Sequence, residues 1–272
     1  MKIELWLNSA IKSLDANGVD NPRLDCLVLL ESVLNKDRSR ILAHLDDSLS
    51  RIQTFRLNLL LKQRLDRKPL AYILKNKEFY NNNFFVNKHV LIPRPESEDI
   101  IEIFSKLKVE DNARIADIGT GSGILAITIS KLYPLLDVHA YDIDSHALKV
   151  ARKNVKQHGS KVKLGKSILL MNASGPYQVI VANLPYVAHS KAVSKEVKHE
   201  PKIALYSNNN GRELIYELIN QINTDNLNPG GFLILEADIE QHKSIVEQAS
   251  QHNLKHLDTK NLILLFKYNR TD

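Results

Sequence analysis

Cysteine is almost absent from the sequence, which has only Cys26 among its 272 residues. One thiol cannot form an internal disulfide, and this is typical of proteins from a reducing cytoplasm. Cys26 lies in the apolar run from Leu24 to Leu30, with no histidine or second cysteine near it in sequence. This setting favours a packed core residue over a nucleophile.

Long hydrophobic runs and metal-binding motifs are missing as well. No segment approaches the roughly 18 to 20 apolar residues of a membrane span, and Met1 to Trp6 lack the apolar core of a signal peptide. The ten histidines are scattered, and no pair has zinc-like spacing with further ligands. We therefore expect a soluble, cytoplasmic monomer with no membrane contact and no metal.

The composition is that of a globular protein, with 43% hydrophobic and 25% charged residues. The length fits one large domain plus a smaller one. A net charge of +6 is compatible with a ribosomal or nucleic-acid-associated partner. It is too weak to indicate direct nucleic-acid binding without a concentrated patch, so we expect no stable complex with nucleic acid.

Residues 1–70 have the periodicity of a small helical bundle. Apolar residues recur at helical spacing over four segments, and Asn21-Pro22 is a strong helix-start signal. The last helix spans about 50–67, with Ile52, Phe55 and Leu59 on one face. With no glycine-rich loop and no metal-ligand cluster, this domain is predicted to pack or dock a substrate. Three basic residues at its end are assigned to a solvated helix terminus: Arg64, Arg67 and Lys68.

Residues 71–95 are predicted to form a β-hairpin connector. Ala71 to Leu74 and Phe84 to Val86 are short, aromatic and β-branched, with an asparagine-rich turn before the second segment. Pro93-Arg94-Pro95 then fixes the backbone. Two interpretations stay open for this turn: a rigid linker, or a wall of the active site with Arg94 pointing inward.

A glycine-rich loop follows the first strand of the third region, which spans 96–272. The strand Ala113 to Ile118 runs into Gly119-Thr120-Gly121-Ser122-Gly123 and then a helix. A dinucleotide fingerprint needs glycine where Ile124 stands. The loop suits S-adenosylmethionine better, because that cofactor has no pyrophosphate to hold.

An acidic residue at the end of the next strand strengthens the cofactor prediction. Asp142 lies 19 residues after Gly123, about where a carboxylate accepts hydrogen bonds from ribose hydroxyls. Asp144 is predicted to cap the following helix. After a third strand, Ser167 and Ile168 are the candidates for the adenine end of the cofactor, through backbone or hydroxyl groups.

The tetrapeptide Asn183-Leu184-Pro185-Tyr186 follows the apolar strand Val179 to Ala182, at the sheet edge where ligands bind in α/β proteins. An amide or exocyclic amine nitrogen is a poor nucleophile, because its lone pair is delocalised. Acceptors for both of its protons would activate it, and the Asn183 side chain and the Leu184 backbone carbonyl provide two. Pro185 fixes the second carbonyl, and Tyr186 offers a face for stacking.

These motifs together resemble the protein-(glutamine-N5) methyltransferases that modify peptide-chain release factors. The resemblance covers nearly the whole chain, including Pro93-Arg94-Pro95-Glu96 and Glu200-Pro201. It implies a Rossmann-like α/β fold with a seven-stranded sheet behind a helical domain, and the glutamine of the Gly-Gly-Gln motif in class 1 release factors as substrate. It also implies that Gly119 to Gly123, Asp142 and Asn183 bind S-adenosylmethionine, and that Asn183 to Tyr186 hold the glutamine amide.

Two positions depart from the family pattern. Leu184 replaces the usual proline, and the same four residues occur in RNA adenine dimethyltransferases. Ser167 stands where an acidic residue is common. Two alternatives therefore stay open: adenine-N6 methylation of RNA or DNA, and an inactive cofactor-binding protein that interacts with partners.

Overall fold

The computed structural model describes residues 1–269, which form two compact units. The first consists of Met1–Lys75 together with Ser194–His199, and the second of Asn76–Val193 together with residues 200–269. No helix within residues 1–269 is long and apolar enough to cross a membrane.

The first unit is a helical bundle, as predicted. Its helices are α1 (Ile3–Ala16), α2 (Pro22–Leu34), α3 (Arg38–Ala43), α4 (Arg51–Leu65) and α5 (Leu70–Leu74). The start of α4 is set by a capping box, in which Ser50 and Gln53 exchange side-chain to backbone hydrogen bonds. The core is built from the inward faces of the helices, with Trp6, Leu14, Leu30 and Leu57 among its buried members.

The long helix α4 has apolar residues on two faces, and only one of them is buried. Leu57 lies in the core, whereas Ile52, Phe55 and Leu59 are 67%, 69% and 53% exposed. Arg64, near the end of the same helix, is buried rather than solvated. The prediction of a solvated basic terminus is therefore wrong for Arg64.

The predicted strand at Ala71 to Leu74 is also wrong, because these residues form α5. Pro69 precedes the first helical residue, a setting that favours a helix start, and Ile73 packs into the helical core. The hairpin lies further on, between β1 (Lys77–Phe79) and β2 (Asn82–Phe84). Its two turn residues, Tyr80 and Asn81, both have positive φ, as a two-residue hairpin turn requires.

The second unit is organised around a seven-stranded sheet with the order β10-β11-β9-β6-β3-β4-β5. Five adjacent strands pair in parallel, and β11 runs antiparallel to both of its neighbours. The strands are β3 (Arg114–Ile118), β4 (Asp137–Asp142), β5 (Lys163–Lys166), β6 (Tyr177–Ala182), β9 (Leu227–Glu236), β10 (Leu254–Lys260) and β11 (Ile263–Tyr268). This confirms the predicted α/β fold with a seven-stranded sheet.

Helices cover both faces of this sheet. Alternate residues of β6 point to opposite sides, with Val179 and Val181 in one apolar cluster and Ile180 and Ala182 in the other. The remaining elements are α6 (Glu98–Ser105), α7 (Ile124–Leu132), α8 (Ser145–His158), the short strands β7 (Val187–Ala188) and β8 (Tyr206–Ser207), α9 (Asn208–Gly211), α10 (Glu213–Gln221) and α11 (Ile239–Ser250).

Strand order reverses between β3 and β6, which makes the gap beyond their carboxyl ends a ligand-binding position. The register decides which residues meet there. Ile118 pairs with Ala182, and Ala182 pairs with Leu235 on the other side. The residues next in sequence after these three paired positions are therefore brought together at one edge of the sheet. They are Gly119, Asn183 and Glu236, the last residue of β9.

Candidate active site

A cavity opens at this edge of the second unit. Its walls come from the glycine loop, the end of β4, the segment after β5, the tetrapeptide and the segment before α6. The lining includes Gly119, Gly121, Asp142, Ile143, Asp144, Ser167, Ile168, Asn183, Leu184, Pro185 and the stretch His89 to Leu91. The structure thus brings most of the predicted cofactor and catalytic residues to one place.

The glycine loop bends tightly between β3 and α7. Gly119 has a φ of 75°, which is in the left-handed region that favours glycine. A Cβ atom at this position would lie 2.8 Å from Cδ2 of Leu184, so a side chain would collide with the tetrapeptide. Gly119 is therefore required both by its backbone conformation and by the close approach of Leu184.

Asp142 presents a carboxylate at the cavity wall, held by the backbone of two loops. Gly121 N donates to one oxygen at 2.8 Å, and Asp144 N donates to the other at 2.8 Å. Burial raises the pKa of Asp142, although both N–H groups act against it. Because each carboxylate oxygen can accept more than one hydrogen bond, Asp142 retains capacity for ligand hydroxyls.

The other predicted loop residues lie behind the cavity surface. Thr120 donates from its hydroxyl to Asp117 at 2.6 Å, and the Ser122 carbonyl accepts from the Asn154 side chain at 2.8 Å. Both are buried. Neither they nor Gly123 line the cavity, so the structure places them where they shape the loop.

Asp117 is a buried carboxyl group that the sequence analysis did not single out. Burial raises the pKa of Asp117 to about 7, against hydrogen bonds from Thr120 and Ala126. Both of those donors reach Oδ2, while Oδ1 is buried without a partner within residues 1–269. The available signal was an acidic residue within the apolar part of β3, between Ala116 and Ile118.

The side-chain amide of Asn183 is fixed by two partners behind the cavity wall. Its Nδ2 donates to Glu236 Oε2 at 2.7 Å and to Ser97 Oγ at 2.9 Å. The Oδ1 atom makes no hydrogen bond within the described residues, and neither does the Leu184 carbonyl. Two acceptor oxygens therefore remain available at the tetrapeptide.

The rest of the tetrapeptide is held from behind. The Leu184 side chain is buried in the core, and the residue lines the cavity despite its departure from proline. The Tyr186 hydroxyl donates to Glu236 Oε1 at 3.0 Å, and its carbonyl accepts from the Gln241 side chain at 2.9 Å. Burial, and next the charge of Glu236, raise the pKa of Tyr186.

Arg94 of the Pro-Arg-Pro turn pairs with the buried carboxylate of Glu200. The same carboxylate accepts from Ile92 N at 2.9 Å. The turn contributes to the cavity through its preceding residues, His89 to Leu91, and Arg94 does not line it. Three residues later, Ser97 reaches the Asn183 amide.

These residues fit S-adenosylmethionine. Asp142 offers acceptors for ribose hydroxyls, and the loop exposes backbone at Gly119 and Gly121. Ile143 and Ile168 are about half exposed, at 46% and 47%, and provide apolar faces for an adenine ring. Within residues 1–269, no group of histidine, cysteine, aspartate and glutamate is arranged to hold a metal ion.

Comparison with known proteins accounts for this combination of units. The PrmC N-terminal domain family matches residues 6–74, and the methyltransferase small domain family matches residues 101–208. The release factor glutamine methyltransferase of Coxiella burnetii is 38% identical over 229 residues, covering 83% of this chain and 82% of that protein. The chain belongs to the release factor glutamine methyltransferase family.

Other members of this family match over most of their length. The Aliivibrio fischeri protein of the same name is 32% identical over 265 residues, covering 95% of this chain and 93% of that one. The chain spans about half of the bifunctional methyltransferase of Rickettsia typhi, covering 52% of that protein at 33% identity.

Solved structures support the fold. A methyltransferase from Pyrococcus furiosus superposes with a TM-score of 0.55 at 22% identity, covering 71% of this chain and 92% of that one. At this identity the likeness establishes the methyltransferase fold and nothing finer.

Proposed function

We propose that this protein transfers a methyl group from S-adenosylmethionine to the side-chain amide nitrogen of the glutamine in the Gly-Gly-Gln motif of class 1 peptide-chain release factors. One observation carries the proposal. Asn183 Oδ1 and the Leu184 carbonyl have no hydrogen-bond partner in the described residues, and both residues line a cavity that fits the cofactor. The names of the relatives point to the same substrate.

The two free oxygens match the chemical difficulty of the reaction. A glutamine amide nitrogen has two N–H protons and a lone pair delocalised into its carbonyl group. Acceptors for both protons orient the nitrogen and stabilise the positive charge that develops as it attacks. Asn183 and Leu184 provide those acceptors on a rigid turn, so their main contribution is alignment.

When bound, S-adenosylmethionine would supply a methyl group from a positively charged sulfur, and the sulfur would keep the electron pair of the broken carbon–sulfur bond. Asp142, Ile143 and Ile168 would hold its nucleoside end. Once the new carbon–nitrogen bond has formed, the amide nitrogen carries one surplus proton. This proton is released to solvent. Asn183 Oδ1 and the Leu184 carbonyl hold the two N–H groups until that proton is lost.

The test uses labelled cofactor with three acceptors: a class 1 release factor, its Gln→Ala variant at the Gly-Gly-Gln motif, and ribosomal RNA. We expect label on the wild-type factor alone. Label on RNA alone would support the alternative of adenine methylation, and no label on any acceptor would support the alternative of an inactive cofactor-binding protein.

Asn183 should be the most sensitive single position. We expect Asn183→Ala to lower kcat by about 100-fold or more, the usual effect of deleting a group that stabilises transition-state charge. The Kd for cofactor, measured by calorimetry, should rise by a much smaller factor because the nucleoside contacts remain. Unchanged turnover in this variant would refute the catalytic assignment.

We further propose that the helical unit docks the release factor through the outward face of α4, formed by Ile52, Phe55 and Leu59. These side chains are more than half exposed. Clustered exposed apolar side chains mark protein interaction sites. The exposed cations Arg51, Arg56 and Lys62 beside them would favour an acidic rim on the partner.

Phe55→Ser tests this docking role. We expect KM for intact release factor to rise by about tenfold or more, since an aromatic anchor dominates such interfaces. Turnover of a short Gly-Gly-Gln peptide should not change. Leu24→Ser is the matched control, because Leu24 is an exposed leucine on a different helix, α2. An equal effect of both variants, or none from either, would contradict docking on α4.

A further inference from the structure

Glu236 is a buried carboxylate that the chemistry above does not use. It closes β9, is 1% exposed and does not line the cavity. Three side chains donate to it: Ser97 at 2.7 Å, Asn183 at 2.7 Å and Tyr186 at 3.0 Å. No lysine or arginine is among its partners within residues 1–269. A carboxylate held by three neutral donors, one of them Asn183 itself, calls for a physical explanation.

The direction of each hydrogen bond follows from the chemistry of the groups. An ionised carboxylate can only accept. Ser97 has one hydroxyl proton and gives it to Glu236 Oε2, so its oxygen presents lone pairs to Asn183. Both groups that face the inner end of the Asn183 amide are therefore acceptors.

This arrangement selects one of the two orientations of the Asn183 amide. With Nδ2 inward, both of its protons are bonded, one to Glu236 and one to Ser97. Turning the amide over would place Oδ1 against two oxygens that have no proton to share. Buried acceptors facing each other are costly, so Oδ1 stays on the outward side.

Extending the proposed function, we propose that Glu236 and Ser97 are positioning residues that orient the Asn183 side chain so that its oxygen, and not its nitrogen, receives the substrate amide. The tertiary fold brings the three residues together from separate elements. Ser97 follows the Pro-Arg-Pro turn, Asn183 follows β6 and Glu236 ends β9. Tyr186 is bound to the other oxygen of the same carboxylate, so the first and last residues of the tetrapeptide share one anchor.

A donor–acceptor swap tests this assignment. In Asn183→Asp, two carboxylates face each other at positions 183 and 236. In Glu236→Gln, two amide nitrogens can face each other. The double variant restores the match, because the new glutamine at position 236 can donate to the new aspartate at position 183 and still accept from Tyr186. The second oxygen of that aspartate then remains an acceptor for substrate.

We expect each single variant to lower kcat by about 100-fold, the cost of a misdirected catalytic group. The double variant should recover at least about tenfold over Asn183→Asp. In Glu236→Gln, cofactor Kd and release-factor KM should stay within about threefold of wild type, because Glu236 touches neither ligand. A purely structural role would predict no recovery of kcat.

The matched control is Asn183→Asp combined with Glu200→Gln. Glu200 is also a buried carboxylate of the same unit, but its partners are Ile92 and Arg94. Adding Glu200→Gln to Asn183→Asp should therefore not restore kcat. Recovery with Glu200→Gln, or a double variant at Asn183 and Glu236 no faster than Asn183→Asp, would overturn the proposal.

The denaturation midpoints of the same variants test the donor–acceptor match between positions 183 and 236 independently of activity. We expect Asn183→Asp to lower it and the added Glu236→Gln to restore it. Restored stability without restored kcat would show that Glu236 only holds the fold, and would overturn the positioning role. Wild-type protein that fails to label release factor would instead refute the proposed function, while the midpoints would still test the pairing.

Discussion

The helical unit and the surroundings of the cavity in the second unit hold their carboxylates in opposite ways. In the helical unit, Arg64 donates to Asp25 at 2.6 Å and to Glu196 at 3.1 Å, and Arg67 donates to Glu196 at 2.9 Å. Around the cavity of the second unit, Asp142 and Glu236 are held by backbone N–H, hydroxyl and amide groups, and Asp117 likewise. None of these three has a lysine or arginine partner within residues 1–269.

This difference gives Glu196 and the carboxylates around the cavity opposite pKa shifts. Partial burial acts to raise the pKa of Glu196, but Arg67 and Arg64 outweigh it and lower the pKa to about 2. Around the cavity, burial prevails and the pKa values of Asp117, Asp142 and Glu236 are raised. Ion pairs thus serve to hold the helical unit together, whereas uncharged donors leave the carboxylates near the cavity with capacity for ligands and positioning.

The largest effect should come from breaking the ion-pair network of the helical unit. Arg64→Met leaves the buried Asp25 without its cation and the partly buried Glu196 with one cation fewer. Removing one member of a buried pair costs about 3 to 5 kcal/mol. We expect a loss of that size in the free energy of unfolding, measured by urea denaturation.

Arg38→Met is the control for this substitution. Arg38 pairs with Glu31 through a bidentate contact on the surface of the same unit. Such exposed pairs contribute less than about 1 kcal/mol. If Arg64→Met and Arg38→Met lowered the free energy of unfolding equally, burial would not explain the contribution of the Arg64 ion pairs to stability.

A smaller, pH-dependent effect is expected at Asp117. Its folded-state pKa is raised to about 7, from an ordinary value of 3.8. The folded protein therefore binds a proton that the unfolded chain releases, and stability falls as pH rises from about 4 through 7. At about 1.4 kcal/mol per pKa unit, the loss is on the order of 2 to 4 kcal/mol.

Asp117→Asn should remove most of this slope, because the asparagine side chain does not titrate. The measurement is the urea midpoint of both proteins between pH 5 and pH 8. Glu196 should act in the reverse direction, contributing stability above pH 4.5 that is lost toward pH 2. An equally steep slope in the Asp117→Asn variant would show that Asp117 is not the titrating group.

The smallest effect is expected where polar groups are exposed in either unit. Ser50→Ala removes the capping box of α4 and should cost about 1 kcal/mol of unfolding free energy. Ser13→Ala is the control, since Ser13 is an exposed helical residue whose hydroxyl bonds only to the carbonyl of Ser9 within the described chain. A loss in the control equal to that at Ser50 would argue against the cap.

Local signals predicted the elements well where several of them agreed. Asn21 and Pro22 mark the start of α2, and the glycines after Ile118 mark the turn into α7. The prediction failed at Ala71 to Leu74, where aromatic and β-branched residues indicated a strand. There the packing of Ile73 against the helical core overrode a weak local preference.

The site was predictable in part for the same reason. The glycine loop, Asp142 and the tetrapeptide are each contiguous or end a strand, so their chemistry can be read along the chain. Glu236 lies 53 residues from Asn183, and Glu196 lies 132 residues from Arg64. The local sequence does not predict such distant partners. It does show an acidic residue at the end of a mainly apolar strand at both Asp142 and Glu236, which indicates a position at the ligand-binding edge of the sheet.

The sequence by itself therefore determined the helical bundle, the glycine loop and the position of Asn183 and Leu184 directly after a strand, and the family resemblance supplied the seven-stranded sheet. Only the tertiary structure decided which atom of the Asn183 amide faces the cavity and which carboxylates are ionised against a cation. The physical reason is that periodicity and turn chemistry act over a few neighbouring residues. Hydrogen-bond direction and pKa depend on groups that strand register and packing bring together from distant parts of the chain.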